Sequence, residues 1–278
     1  MNYQTKITPT WCPGCGNFGI LAALKQALLK KNLKPHEFTL VYDVGCSSNM
    51  ADFVYSYGFH GLHGRALPAA AGVKLANHNL PVIAIIGDGG CFGEGLSHFI
   101  SLARGNHDIL VITHDNYLYS LTTGQMSPTS KKGTVTPSTP FGSIEEPFNQ
   151  VGTAILNHAS FVARGFAGDI PNLTDLITKG LDHQGFAFLD VLQPCTTYNK
   201  DLTFDWYRDR IYTLDEKHDT INKQLAIEKS METNKLPTGI FYQVNKPTFH
   251  DQALHSKEPL AKKNISSINI NNLLWSTP

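Results

Sequence analysis

The sequence carries no surplus of either charge: Lys+Arg and Asp+Glu each number 23. Without a basic excess there is no electrostatic footing for nucleic acid or for an anionic membrane surface. No apolar run approaches the roughly 20 residues that cross a bilayer. The opening residues, MNYQTKITPTWC, lack the basic-plus-apolar pattern of an export signal. A soluble, cytoplasmic protein with neither nucleic acid nor membrane as partner is expected. Cysteine is scarce, five in 278 residues, which argues against the disulfide scaffold of a short secreted domain. Internal repeats are absent, and no second segment carries the pattern of a separate core.

What is present is an alternation of strands and helices in a chain long enough to bury a sizeable core. Short, β-branched apolar runs that stop at Gly or a polar residue predict buried parallel strands at Phe38–Val44, Val82–Ile86, Ile109–Thr113, Phe161–Ala163 and Phe186–Leu192. Helical spacing links Phe18, Leu21, Leu24 and Leu28, and helices are also expected at Ala66–Asn77, Leu96–Arg104 and Leu214–Met231. The predicted fold is α/β, an open and mostly parallel sheet with helices on both faces. Residues 1–205 are expected to form the main domain, with 206–278 a C-terminal extension ending in a polar tail from about His255. The stretch Ser127–Glu146, rich in Ser, Thr, Pro and Gly, reads as a long loop of the kind that usually has a function.

The unusual residues fall at the carboxyl ends of the predicted strands: Cys46, Asp88, Asn116 and Cys195. That rim is where open α/β sheets bind ligands. In PVIAIIGDGGCFGEG, Gly87, Gly89 and Gly90 would let the backbone approach a phosphate closely, and the helix that follows offers free N–H groups and its dipole. Alone this is a weak signal, compatible with a plain tight turn. Asn116 lies 28 residues after Asp88, one strand–helix–strand unit on, so the two should occupy neighbouring strand ends. A carboxylate, a carboxamide and the Leu118 backbone carbonyl suit Mg²⁺, which takes oxygen ligands and shares them with ligand phosphates. This spacing resembles the thiamine-diphosphate enzymes, whose motif runs from GDG to a paired Asn. Asp115 replaces the first Asn, and by that resemblance Asn116 carries the metal.

WCPGC nearly matches the thioredoxin motif, but the residues before Trp11 are polar and include Pro9, not the buried strand that reading needs. Cys12, Cys15, Cys46 and Cys195 could ligate zinc or a [4Fe–4S] cluster, and spacing does not separate the two. A redox cluster beside thiamine has a task that zinc would not. Cys91 reads as a small buried thiol.

WCPGCGNFG, VGCSS, GLHGRALPAAAGVKLAN, IIGDGG, DNYLYSLTTGQ, LQPC and LPTGIFY occur in this order over residues 10–245. Together they resemble the β subunits of 2-oxoacid:ferredoxin oxidoreductases. The resemblance implies that Cys12, Cys15, Cys46 and Cys195 hold the cluster, that Val44, Gly45, Cys46, Ser47, Gly89, Gly90, Ser120 and Leu121 line the cofactor, and that His63 reaches it. The family pattern is GDGD, and here Gly90 stands in the last place. Leu121, Thr122 and Thr123 become candidates for the substrate pocket. The activity implied is CoA-dependent oxidative decarboxylation of a 2-oxoacid such as 2-oxoglutarate or pyruvate, with electrons passed to ferredoxin. No catalytic carboxylate stands out in the chain, so the Glu that activates thiamine is expected from an α subunit. The competing readings are a non-redox thiamine-dependent decarboxylase and a zinc-stabilised binding module.

Overall fold

Apolar runs become strands wherever both faces can be covered. The computed structural model describes residues 3–215, 217–253, 258–264 and 266; most of the tail expected from His255 lies outside them. The chain runs α1 (Asn17–Lys30), β1 (Thr39–Tyr42), β2 (Tyr57–His60), α2 (Ala66–Ala76), β3 (Val82–Gly87), α3 (Leu96–Arg104) and β4 (Ile109–Asp115). A small hairpin follows, β5 (Leu118–Tyr119) with β6 (Gln125–Met126). Then come α4 (Gln150–Leu156), β7 (Phe161–Phe166), α5 (Ile170–Asp182), β8 (Phe186–Leu192), α6 (Phe204–Arg208), β9 (Ile211–Thr213), α7 (Lys223–Ser230), β10 (Leu236–Gln243) and α8 (Phe249–Ala253).

Among the described residues one sheet has eight strands in the order β2-β1-β3-β4-β8-β7-β10-β9. The six strands from β2 to β7 are mutually parallel, β10 runs antiparallel to β7, and β9 is parallel to β10. Side chains alternate between two cores. Leu40, Tyr42, Ile83, Ile85, Leu110 and Ile112 meet the α1–α5 layer. Val41, Ala84, Ile86, Val111 and Phe188 pack with residues of α2, α3 and α4 on the other face. Burial on both faces explains why these strands read as continuous apolar runs rather than alternating ones.

The chain first builds outward from β1 to β2, then crosses back to place β3 on the other side of β1. This reversal opens a crevice at the carboxyl ends of β1 and β3, the usual ligand position in such sheets. The C-terminal strands β9 and β10 continue the same sheet at its far edge, away from this crevice.

The elements that differ from the sequence reading include β2, β7 and the helix before β10, each for a local reason. Strand β2 was not expected: all four of its residues are exposed, so no buried face patterns its sequence. Strand β7 continues to Phe166 because the buried Arg164, which interrupts the apolar run, is paired with Asp190 on β8. The helix expected at Leu214–Met231 is confined to Lys223–Ser230. Asp219 closes a turn by accepting from Ile221 N at 3.1 Å, and Asn222 caps the helix by accepting from Leu225 N at 3.1 Å. Asx side chains compete with helical backbone in this way, so the helix starts late.

Candidate active site at the carboxyl edge of the sheet

An open cleft of about 520 Å³ lies across the ends of β1, β3 and β4. Its walls are Val44–Ser47 after β1, His63 beyond β2, Gly87–Gly90 after β3, His114 and Asn116 around the end of β4, and Leu118–Thr122 of the hairpin. Every residue proposed from sequence for the cofactor or the cation lines it, and so do Leu121 and Thr122; Thr123 faces the adjoining cleft on the other side of the hairpin.

The glycines are required by close approach. A Cβ at position 89 would fall inside the Tyr119 ring, whereas at Gly87 it would meet only Ser47 Oγ, at 3.6 Å across the cleft. The backbone at Gly87 thus faces the cleft bare, open to a ligand phosphate. Gly87 pairs with His114 across the β3–β4 ladder, so Asp88 and Asn116 leave adjoining strand ends. Asp88 is fully buried, and one carboxylate oxygen, Oδ2, accepts from Ser127 Oγ at 2.6 Å and Thr129 Oγ1 at 2.7 Å. Both hydroxyls fall on Oδ2. Burial, opposed by these hydroxyls, pushes the Asp88 carboxyl up to about 6. Asn116 Oδ1 is turned into its own loop, accepting from Leu118 N at 3.1 Å and Ser120 Oγ at 3.0 Å.

The cysteines gather in a second cleft of about 640 Å³ lined by Cys12, Cys15, Cys46 and Cys195. Local bonding explains how sequence-distant thiols meet. The CPGC turn closes with Cys15 N donating to Cys12 O at 3.0 Å, and Gly14 takes φ +75°, a conformation open to glycine. Gly16 N donates to Pro194 O at 3.1 Å, and Thr196 Oγ1 to Pro13 O at 3.1 Å, stapling that turn to the end of β8. Trp11 Nε1 donates to Cys46 O at 2.7 Å, tying in the end of β1. Burial, reinforced by the neighbouring thiols, pushes Cys15 up to about 11 and Cys46 up to about 12. Cys91 is fully buried in the helical-side core, away from this cleft. Among the described residues no group of three or more His, Cys, Asp or Glu side chains is arranged to hold a single metal ion. The two clefts share a wall made of Cys46, Asn116, Ser120 and Leu121.

Residues 43–191 match the family model for the C-terminal TPP-binding domain of thiamine pyrophosphate enzymes, and residues 195–258 match the C-terminal model of the pyruvate ferredoxin oxidoreductase β subunit. The chain is 44% identical over 263 residues to the 2-oxoacid:ferredoxin oxidoreductase subunit β of Saccharolobus solfataricus, covering 90% of this chain and 86% of that one. It is 32% identical over 250 residues to the 2-oxoglutarate synthase subunit KorB of Methanocaldococcus jannaschii, covering 90% and 93%. A solved 2-oxoglutarate:ferredoxin oxidoreductase from Magnetococcus marinus, with 2-oxoglutarate, coenzyme A and succinyl-CoA bound, superposes with a TM-score of 0.92 at 35% identity, over 99% of this chain and 95% of that chain. The chain belongs to the 2-oxoacid:ferredoxin oxidoreductase β subunits. It is therefore a thiamine-diphosphate-binding subunit of a multi-chain oxidoreductase, working with an α partner.

Behind the cleft the β subunit has a buried polar network that sequence reasoning missed. Thr129 links Asp88 to Asp115, contacting Asp115 Oδ1 at 3.0 Å. Gln150 Nε2 donates to Asp115 Oδ2 at 2.5 Å and to Asp190 Oδ2 at 3.3 Å, and Arg164 Nε donates to Asp190 Oδ2 at 2.7 Å. Three buried carboxylates thus lie in one network, and its guanidinium pairs with Asp190. Burial, and then the charges of Asp190 and Asp88, hold Asp115 well above the usual carboxylate range. Thr129 has a single hydroxyl hydrogen for its two carboxylate neighbours, so it donates to Asp88 or to Asp115 but not to both at once, and Asp115 Oδ1 also accepts from Tyr117 N at 3.3 Å. One sequence offers little signal for this network, because SPTS at residues 127–130 looks like any polar loop.

Proposed function

We propose that this β subunit, with its α partner, catalyses CoA-dependent oxidative decarboxylation of a 2-oxoacid, 2-oxoglutarate or pyruvate, to acyl-CoA and CO₂, passing electrons through a [4Fe–4S] cluster to ferredoxin in the cytoplasm. The observation that carries this reading is the shared wall between the two clefts: a thiamine site and a four-cysteine site separated by Cys46, Asn116, Ser120 and Leu121.

The donor sets fit the groups. The cation side has only hard oxygens, Asp88 Oδ1, the Asn116 carboxamide and the Leu118 carbonyl, as Mg²⁺ prefers. For Asn116 to serve, its carboxamide must exchange the Leu118 N–H and Ser120 hydroxyl for the cation. Four thiols around an open cleft can ligate a [4Fe–4S] cluster, and a redox cluster beside thiamine has a task that zinc would not.

When bound, thiamine diphosphate supplies the electron sink that lets a 2-oxoacid lose CO₂, and the cluster a one-electron acceptor. The chain's own residues do the positioning. Val44, Gly45, Ser47, Gly87, Gly89, Gly90 and Ser120 bring backbone and small side chains up to the diphosphate. Leu121 and Thr122 form the exposed wall on the substrate side, with Thr123 behind them, and Cys46 holds the cluster next to the cofactor. Glu94, beside the cleft, pairs with His63 at 3.5 Å and accepts from Tyr119 Oη at 3.2 Å, and Glu145 and Glu146 are exposed in the 127–146 loop. The α subunit is accordingly the source of the carboxylate that activates the cofactor. Residues 1–205 form the cofactor-bearing domain in this reading, and 206–278 an extension whose strands lengthen the sheet.

Co-expression with the α subunit tests the proposal. The complex should reduce ferredoxin only when a 2-oxoacid and CoA are both present, with acyl-CoA detected by mass spectrometry, and the β chain alone should be inactive. Decarboxylation without ferredoxin reduction would replace the proposal with the non-redox reading.

A further inference from the structure

Beside the diphosphate turn lies a fully buried carboxylate that lines neither cleft. Asp43 follows β1 with none of its surface exposed. Its Oδ2 accepts from His63 Nδ1 at 2.9 Å, and its Oδ1 from the backbone N–H of Gly64. His63 is half-buried, lines the cofactor cleft, and directs its other ring nitrogen, Nε2, toward Glu94. The position of Asp43 relative to Gly90 is telling. A Cβ at position 90 would collide with Asp43 Oδ2, lie 2.9 Å from its Cγ, and stand 3.0 Å from His63 Cε1. Position 90 is where the family's GDGD pattern has its last Asp and this chain has glycine.

We propose that Asp43 delivers, from the end of β1, the carboxylate that the GDGD turn elsewhere carries at position 90, and that it fixes His63 against the diphosphate end of the cleft. Asp43 and Gly90 are then one unit. On the Nδ1 side of His63 the space admits a single carboxylate, supplied either from the strand end or from the turn. Two carboxylates there would overlap sterically and repel each other in a buried site. Asp43 is a positioning residue: it accepts from His63 Nδ1–H while Nε2 lies toward Glu94, and so it sets the ring edge that His63 presents to the cleft. A buried, charge-assisted hydrogen bond has the strength to fix the ring in this way. The inference rests on reading this cleft as the diphosphate site.

The test is a set of variants of the β subunit, each purified with its α partner and titrated with thiamine diphosphate and Mg²⁺ by intrinsic fluorescence, with folding checked by near-UV circular dichroism. Asp43→Gly should weaken thiamine diphosphate binding about tenfold or more, the range seen when a group that orients a ligating side chain is lost. Gly90→Asp alone should do at least as much harm. Asp43→Gly combined with Gly90→Asp should bind more tightly than either single variant. In a His63→Ala background, Asp43→Gly should cause no further loss, since residues acting through one another are not additive. If losses in the Asp43/Gly90 pair simply add, the exchange is refuted. If either single variant fails to fold, the His63→Ala pair decides: a further full loss there shows that Asp43 does not act through His63. His63→Ala with wild-type affinity would overturn the assignment of His63 itself, an outcome distinct from failure of the exchange.

Discussion

Thr129→Val removes one hydroxyl and almost no volume, and the structure predicts effects on both stability and cofactor affinity. Thr129 Oγ1 lies 2.7 Å from Asp88 Oδ2 and 3.0 Å from Asp115 Oδ1, and all three side chains are buried. With valine, Asp115 keeps Gln150 and the Tyr117 N–H but loses Thr129, and of its two hydroxyl donors Asp88 keeps Ser127 alone. An unmet buried polar group costs about 1–3 kcal/mol. In a chain of this size each kcal/mol lowers Tm by about 2–4 °C, so a fall of about 2–12 °C is expected. Asp88 would also lose half of what fixes its rotamer. Losing such a support weakens metal binding about 10–100-fold, which Mn²⁺ titration by EPR and thiamine diphosphate titration of the αβ complex would both read. Thr129→Ser restores the hydroxyl and should recover most of the affinity. If Thr129→Val binds Mn²⁺ and cofactor as the wild type does, the 127–130 segment does not orient Asp88 and the reasoning fails.

Asp115→Asn should be close to neutral in cofactor affinity and activity, because a carboxamide reproduces the donor and acceptor of the protonated acid, whereas Asp115→Leu should cost about 1–3 kcal/mol by stranding Gln150 and Thr129; equal damage from both would show that Asp115 is ionised. Gly89→Ala drives a methyl into the Tyr119 ring and should abolish thiamine diphosphate retention on gel filtration, while normal retention would show that the turn has slack. His107, stacked on Phe249 at 4.2 Å, is held at about 4 by burial and then by His250. Its folded pKa lies below the unfolded value of about 6.5, so the unfolded chain binds more protons between these values and stability falls as pH drops from about 6.5 toward 4. Urea midpoints should therefore fall less between pH 7 and pH 5 in His107→Phe than in the wild type, and parallel falls would refute the assignment.

Much of the fold was legible because strands buried on both faces leave long apolar runs, and their carboxyl ends advertised themselves with Cys46, Asp88, Asn116 and Cys195. The regions that were not legible share a physical cause. Strand β2 has no buried face, so nothing patterned it. The start of α7 depended on competition from Asp219 and Asn222, which periodicity does not weigh. The roles of Thr129, Asp43 and Arg164 exist only in the partners that folding gives them. Motif reading showed that position 90 departs from the family pattern, but only the structure shows Asp43 filling the space.

In the proposed function, thiamine and a cluster occupy adjoining clefts of this one chain. Purifying the αβ complex without oxygen, and measuring iron, sulfide, zinc and thiamine diphosphate alongside visible absorption, tests it most directly. The account predicts about four irons and about one thiamine diphosphate per β chain attributable to these clefts, with the iron lost in Cys46→Ser. A colourless complex holding zinc, or iron that survives in full in Cys46→Ser, would contradict it.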